Sequence, residues 1–146
     1  MEKTTNQKWT KIMVFGTFDG VHKGHLNLFK QAKRLAKNSY LVVSVARDRN
    51  VKRIKGQKPE LRESHRISLV KKTGLPDKVV LAGDKKYLAH ILKENPNIIA
   101  LGYDQTAYVQ ELKKDLKIKG LNIKIVRLKP YQKHVYKNHL IKNKSL

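Results

Sequence analysis

The sequence predicts one α/β domain built on a doubly wound parallel sheet, and three observations carry that expectation. Five short apolar runs of strand length alternate with amphipathic stretches of helical period along nearly the whole chain. At 146 residues the chain lies in the usual single-domain range and can bury roughly 68–70% of its unfolded surface. No linker or repeat divides it, so a polar arm at residues 1–10 is followed by one unit over 11–146.

Lys11–Phe15 (KIMVF) is the first strand, closed by Gly16. Over Gly24–Lys37, Leu28, Ala32 and Leu35 recur at helical spacing, with Phe29 and Ala36 widening the stripe. Tyr40–Ala46 (YLVVSVA) is a second buried strand. Arg47–Pro59, with Arg47, Arg49, Lys52, Arg53, Lys55 and Lys58 around the breaker Gly56, is expected to be a long basic loop of functional character. Glu60–Lys72 returns to helical period through Leu61, Ile67 and Val70 and stops at Gly74. Next come strand Lys78–Ala82, helix Tyr87–Glu94, strand Ile98–Gly102, helix Thr106–Lys119, strand Asn122–Leu128 and a short helix near Lys137–Lys142.

Right-handed crossovers between these strands predict a Rossmann-like five-stranded sheet in the order 3-2-1-4-5. A ligand crevice then opens where the winding reverses, at the carboxyl ends of strands one and four. Gly16–His25 and Gly102–Gln105 are the two segments placed there.

Composition narrows the function classes. No window approaches the roughly 18 apolar residues of a membrane span, residues 1–11 lack a secretory apolar core, and the absence of cysteine excludes disulfides and cysteine-ligated zinc. A cytoplasmic address with no membrane partner is expected. Thirty-three Lys and Arg against 11 Asp and Glu give a net charge of +22, so anionic partners are favoured. The basic residues are spread from Lys3 to Lys144 and Lys dominates Arg, which suits a solvated coat that meets nucleic acid only non-specifically.

Gly16-Thr17-Phe18-Asp19-Gly20-Val21-His22-Lys23-Gly24-His25 runs from a strand end into a helix N-terminus, where backbone N–H groups and the helix dipole attract anions. His22 and His25, three apart, can face one side, and Gly24 permits close approach of a phosphate. Two imidazoles there can donate hydrogen bonds that strengthen as charge builds on phosphate oxygens. As plain loop and cap residues they would do none of this. His65 and His90 read as surface residues, and Glu63 as a helix-surface partner of Arg66 or a lysine.

The string GTFDGVHKGH resembles the HxGH signature of the cytidylyltransferase-like nucleotidylyltransferases, which join a nucleoside triphosphate to a phosphorylated acceptor and release pyrophosphate. With VARDRNVKRIKGQKP, the Arg62-Glu63 to Arg66 stretch, Leu101-Gly102-Tyr103-Asp104-Gln105 and VRLKPY, the similarity is greatest to the archaeal-type FAD synthetase branch, over nearly all of Lys11–Lys142. The resemblance implies that His22 and His25 are catalytic and that ATP is the nucleotide, with CTP as the alternative. Gly16, Thr17, Phe18, Lys23, Gly24, Lys55, Lys58, Arg66, Gly102, Asp104 and Asn138 would bind nucleotide or phosphate. Asp19, Tyr103 and Arg127 would serve the acceptor, FMN or else a small alcohol phosphate such as glycerol phosphate, and Asp19 would also order its loop or a metal-bound water. Mg²⁺ would arrive with the triphosphate, with no dedicated protein metal site, and a homodimer is a further expectation for the chain.

An isoalloxazine ring needs an apolar or aromatic slot, for which Phe18, Tyr103 and Tyr108 are candidates; loop packing is their other role. The family's Ser/Thr-rich terminal signature is replaced here by Tyr136-Lys137-Asn138-His139-Leu140-Ile141-Lys142, where Asn138 can cap a helix and Lys137 can neutralise phosphate. A basic nucleic-acid-binding domain that has lost catalysis is the rival from another class.

Overall fold

Side chains that alternate along the first strand, β1 (Thr10–Gly16), enter two different cores: Ile12 and Val14 point into one, Phe15 into the other. The same alternation sends Leu41, Val43 and Val45 of β2 (Ser39–Val45) to the first core and Ile99 and Leu101 of β4 (Ile98–Leu101) to the second. Both faces of the sheet are therefore apolar and both must be covered, as in a parallel sheet. The molecule is a computed structural model that describes residues 8–83, 87–106 and 108–131.

With β3 (Lys78–Leu81) and β5 (Lys124–Arg127), the strands form one parallel sheet ordered β3-β2-β1-β4-β5, as the sequence predicts. Phe29 and Ala32 of α1 (Lys23–Lys33) and Val70 of α3 (Glu63–Lys72) fill the first core. Ile91 of α4 (Tyr87–Glu94) and Leu112 and Leu116 of α5 (Val109–Ile118) fill the second. The winding reverses between β1 and β4, so their carboxyl ends open a crevice flanked by the connections above both faces.

Arg47–Pro59 is not the loop that its charge suggests. Asp48–Lys55 forms α2, with Asp48 in its first turn, Lys52, Arg53 and Lys55 in its last, and Gly56 at φ 85° closing it. Its single buried apolar residue, Val51, leaves almost no apolar periodicity to read. α1 also ends four residues before the expected Lys37, although Leu35 and Ala36 still pack on the core. The residues expected to form a helix near Lys137–Lys142 lie outside the described residues.

Candidate active site

β1 delivers the chain to the crevice and α1 carries it away, and the turn between them is held from beneath. Phe18, at φ 55°, is buried among the core residues, with its ring 5.5 Å from Phe29 and edge-on to His25 at 5.2 Å. A Cβ at Gly16 would lie 2.6 Å from the Phe18 ring, so glycine is needed for this packing. Phe18 thus supports the imidazoles from the core side.

His22 is the N-cap of α1. Its Nδ1 accepts the Gly24 N–H at 3.0 Å, while the His22 N–H donates to Nδ1 of His25 at 3.2 Å, a reciprocal capping arrangement made by two imidazoles. The rings stack with centroids 3.8 Å apart. An Nδ1 that accepts a backbone N–H carries no proton, so each neutral ring bears its proton on Nε2 and offers a donor there. This revises the expectation of free amides at the helix start: the His22 and Gly24 N–H groups are engaged by the histidines, and the ring N–H groups are the donors instead.

Burial lowers both imidazole pKa values, and burial together with the neighbouring His22 brings His25 down to about 4. The unfolded ring titrates near 6.5, so His25 contributes stability that is complete above that pH and is lost as pH falls from about 6.5 towards 4, where the unfolded chain takes up a proton that the native ring refuses. The His25 ring resonances should accordingly stay unshifted from pH 8 to about 5.5 in an NMR titration of the free protein. A midpoint near 6.5 would mean that Nδ1 is not held by the backbone.

Two residues, Asp19 and Arg66, fasten this turn to the α2–α3 region. The Asp19 carboxylate accepts the Glu60 and Leu61 N–H groups, both at 2.8 Å, and these bonds hold its pKa below the ordinary value. It orders the loop, with both carboxylate oxygens taken up by backbone. The resemblance implies that Arg66 binds phosphate, but the side chain is fully buried and each of its three nitrogens donates within the fold: Nε to the Leu61 carbonyl at 3.0 Å, Nη1 to the Thr17 carbonyl at 2.6 Å and Nη2 to Asp48 Oδ1 at 2.6 Å. Nor does Glu63 pair with Arg66 on the surface. Its carboxylate accepts the Asp48 N–H while its own N–H donates to Asp48, so the starts of α2 and α3 cap each other.

Across the crevice, Gln105 links the two strand ends. Its Nε2 donates to the Phe15 carbonyl and its Oε1 accepts the Gly102 N–H, both at 2.8 Å. Arg127 Nη1 bonds the carbonyls of Gly102 and Gln105 at 2.9 and 2.7 Å and lies 3.4 Å from that of Tyr103, clasping the loop after β4. The crevice has a volume of about 1270 Å³ and brings together Gly16, Thr17, Phe18, Asp19, His22, His25, Lys55, Lys58, Gly102 and Asp104 of the expected site. Lys23, Gly24, Tyr103, Arg66 and Arg127 do not line it, and Tyr108 rather than Tyr103 is the tyrosine on the wall after β4. Asn138 lies outside the described residues.

Sequence reasoning missed Gln105 as a brace and His90 as a crevice residue. His90, expected at the surface, is half-buried on the crevice wall with Nε2 2.9 Å from the hydroxyl of Ser44. The polar Ser44 inside an otherwise apolar strand was the available signal. That volume exceeds the ~300–1,000 Å³ of a typical ligand pocket, enough for two substrates side by side.

Residues 13–143 match the family described as cytidylyltransferase-like. The chain is 46% identical over 114 residues to the FAD synthase of Korarchaeum cryptofilum, covering 77% of each, and 39% identical over 119 residues to that of Thermococcus sibiricus, covering 81% of this chain and 79% of the relative. Its fold is similar to that of a lipopolysaccharide core biosynthesis protein from Thermoplasma volcanium, with a TM-score of 0.75 and 34% identity over 84% of this chain and 98% of the other.

Proposed function

The chain belongs to the cytidylyltransferase-like family and is a nucleotidyltransferase, and from that premise we propose that it transfers the adenylyl group of ATP to FMN, forming FAD and pyrophosphate. The observation that carries the chemistry is the stacked, backbone-locked imidazole pair at the β1–α1 turn, facing a crevice large enough for both substrates. The FAD synthase relatives supply the choice of ATP and FMN.

In this reading an FMN phosphate oxygen attacks the α-phosphorus of ATP as the bond to the α–β bridging oxygen breaks. The attacking phosphate is already anionic at neutral pH, so positioning and charge neutralisation suffice. Nε2–H groups of His22 and His25 donate to the oxygens that gain charge, and their lowered pKa values keep them hydrogen-bond donors rather than cations. Thr17, Lys55 and Lys58 on the crevice wall hold phosphates. Mg²⁺ enters with ATP, whose phosphates supply the oxygens it prefers. The exposed Asp104 carboxylate can add one more, whereas both oxygens of Asp19 are engaged by backbone.

No helix among the described residues is long and apolar enough to cross a membrane, and we place the reaction in the cytoplasm. Incubating the protein with MgATP and FMN, and separately with MgCTP and glycerol 3-phosphate, tests the reading by pyrophosphate release and product mass. FAD should form in the first mixture. A cytidylyl product in the second, with no FAD in the first, would reassign the enzyme.

A further inference from the structure

Apart from Lys55 and Lys58, the flank of the crevice above β2 and β3 has no part in the chemistry so far. Its walls include Ala46, Val51, Ile54, Ala82 and Gly83, and among them stands the amide of Asn50. Asn50 Nδ2 donates to the Gly83 carbonyl at 3.0 Å, which settles the orientation of the amide, because Oδ1 in that place would face another acceptor. Oδ1 is consequently left buried and without a partner, the one such side-chain atom among the described residues. A buried acceptor with nothing to accept is uncommon in native folds and calls for an explanation, such as a donor brought by a ligand.

We propose that this flank receives the isoalloxazine ring of the acceptor and that Asn50 Oδ1 accepts the ring's imide N3–H. The inference rests on the FMN adenylyltransferase reading. The geometry favours it in two ways. In the proposed reaction the phosphates would meet at the histidines above β1, and a nucleotide across the switch point would take the β4 side, lined by Gly102, Asp104 and Tyr108. That leaves the β2–β3 side for the acceptor's ring. Small and aliphatic walls suit a flat heteroaromatic, and the imide N–H, set between two carbonyls, is its outward donor. Asn50 as a whole is only half-buried, and the terminal torsion of an amide is broad, so a small rotation turns Oδ1 to the ligand while Nδ2 stays on Gly83.

The test is the binding of FMN and of N3-methyl-FMN, followed by flavin fluorescence with MgATP present, to the wild type and to Asn50→Ala. The wild type should prefer FMN by at least about tenfold, because a site built around a ligand N–H rejects the analogue that lacks it, and Asn50→Ala should narrow the preference to about twofold or less. Affinity of the variant for ATP should be unchanged. The comparison of ligands on the wild type needs no variant to fold. FMN binding without discrimination, or discrimination that persists in Asn50→Ala, would overturn the role of Asn50 and leave the function standing. Loss by Asn50→Ala of the ability to tell ATP from N6,N6-dimethyl-ATP, with FMN binding unaffected, would reassign the residue to adenine. No binding of FMN by the wild type would remove the function itself.

Discussion

Alanine at position 25 is expected to lower kcat for FAD formation at least about a hundredfold, equivalent to about 2.7 kcal/mol of lost transition-state stabilisation. The same change removes the acceptor of the His22 N–H, so part of any effect could come from a weakened cap, worth ~1 kcal/mol. His25→Asn separates the two. Its side-chain oxygen can take over the His22 N–H and restore the cap, but its amide is too short to present a donor where Nε2 stands. His25→Asn should therefore unfold close to the wild-type temperature and still lose most of the turnover, whereas a variant that recovers both would show that His25 acts only as a cap. His22→Ala should lose kcat by a similar factor.

The second large effect is on stability. Arg66 is wholly buried, and its guanidinium satisfies the carbonyls of Thr17 and Leu61 and the carboxylate of Asp48. Removing one partner of a buried charged pair costs ~3–5 kcal/mol, because the other charge is left uncompensated. Arg66→Met keeps the apolar stem and removes every donor, and should lower Tm by on the order of 10 °C. Arg66→Lys should fall between, since one ammonium cannot reach three acceptors that a planar fork spans. Thermal unfolding alongside KM for ATP decides the role: an unchanged Tm with a KM raised many-fold would restore Arg66 as a phosphate ligand.

The sheet was legible because parallel strands buried on both faces appear as continuous apolar runs, and KIMVF, YLVVSV and IIAL need no context. α2 was not, since two apolar residues in eight, of which only Val51 is buried, leave no readable period. His22 and His25 could be recognised because a strand, a glycine turn and a helix start are all marked locally. The use of their Nδ1 atoms could not, and neither could the burial of Arg66 or the bracing by Gln105. Each of those side chains engages backbone N–H or C=O groups, which nearly every residue offers, so no side-chain pattern betrays the pairing. Tyr103 shows the converse: the segment Gly102–Gln105 was placed correctly at the strand end, yet which of its side chains turns inward depends on how Arg127 gathers its carbonyls.

The bonds from Asp19 to residues 60 and 61 and from Arg66 to Thr17 join positions 41, 42 and 49 apart in the chain. During folding, the closure of those loops must precede any reward from the contacts. The imidazoles therefore reach their final setting only after β1, β2 and α3 have come together, and a nascent chain that has exposed the GTFDGVHKGH stretch alone holds its histidines without the frame. Transplanting that decapeptide onto another sheet would carry over the self-capped helix start and leave behind the anchorage that fixes where it points.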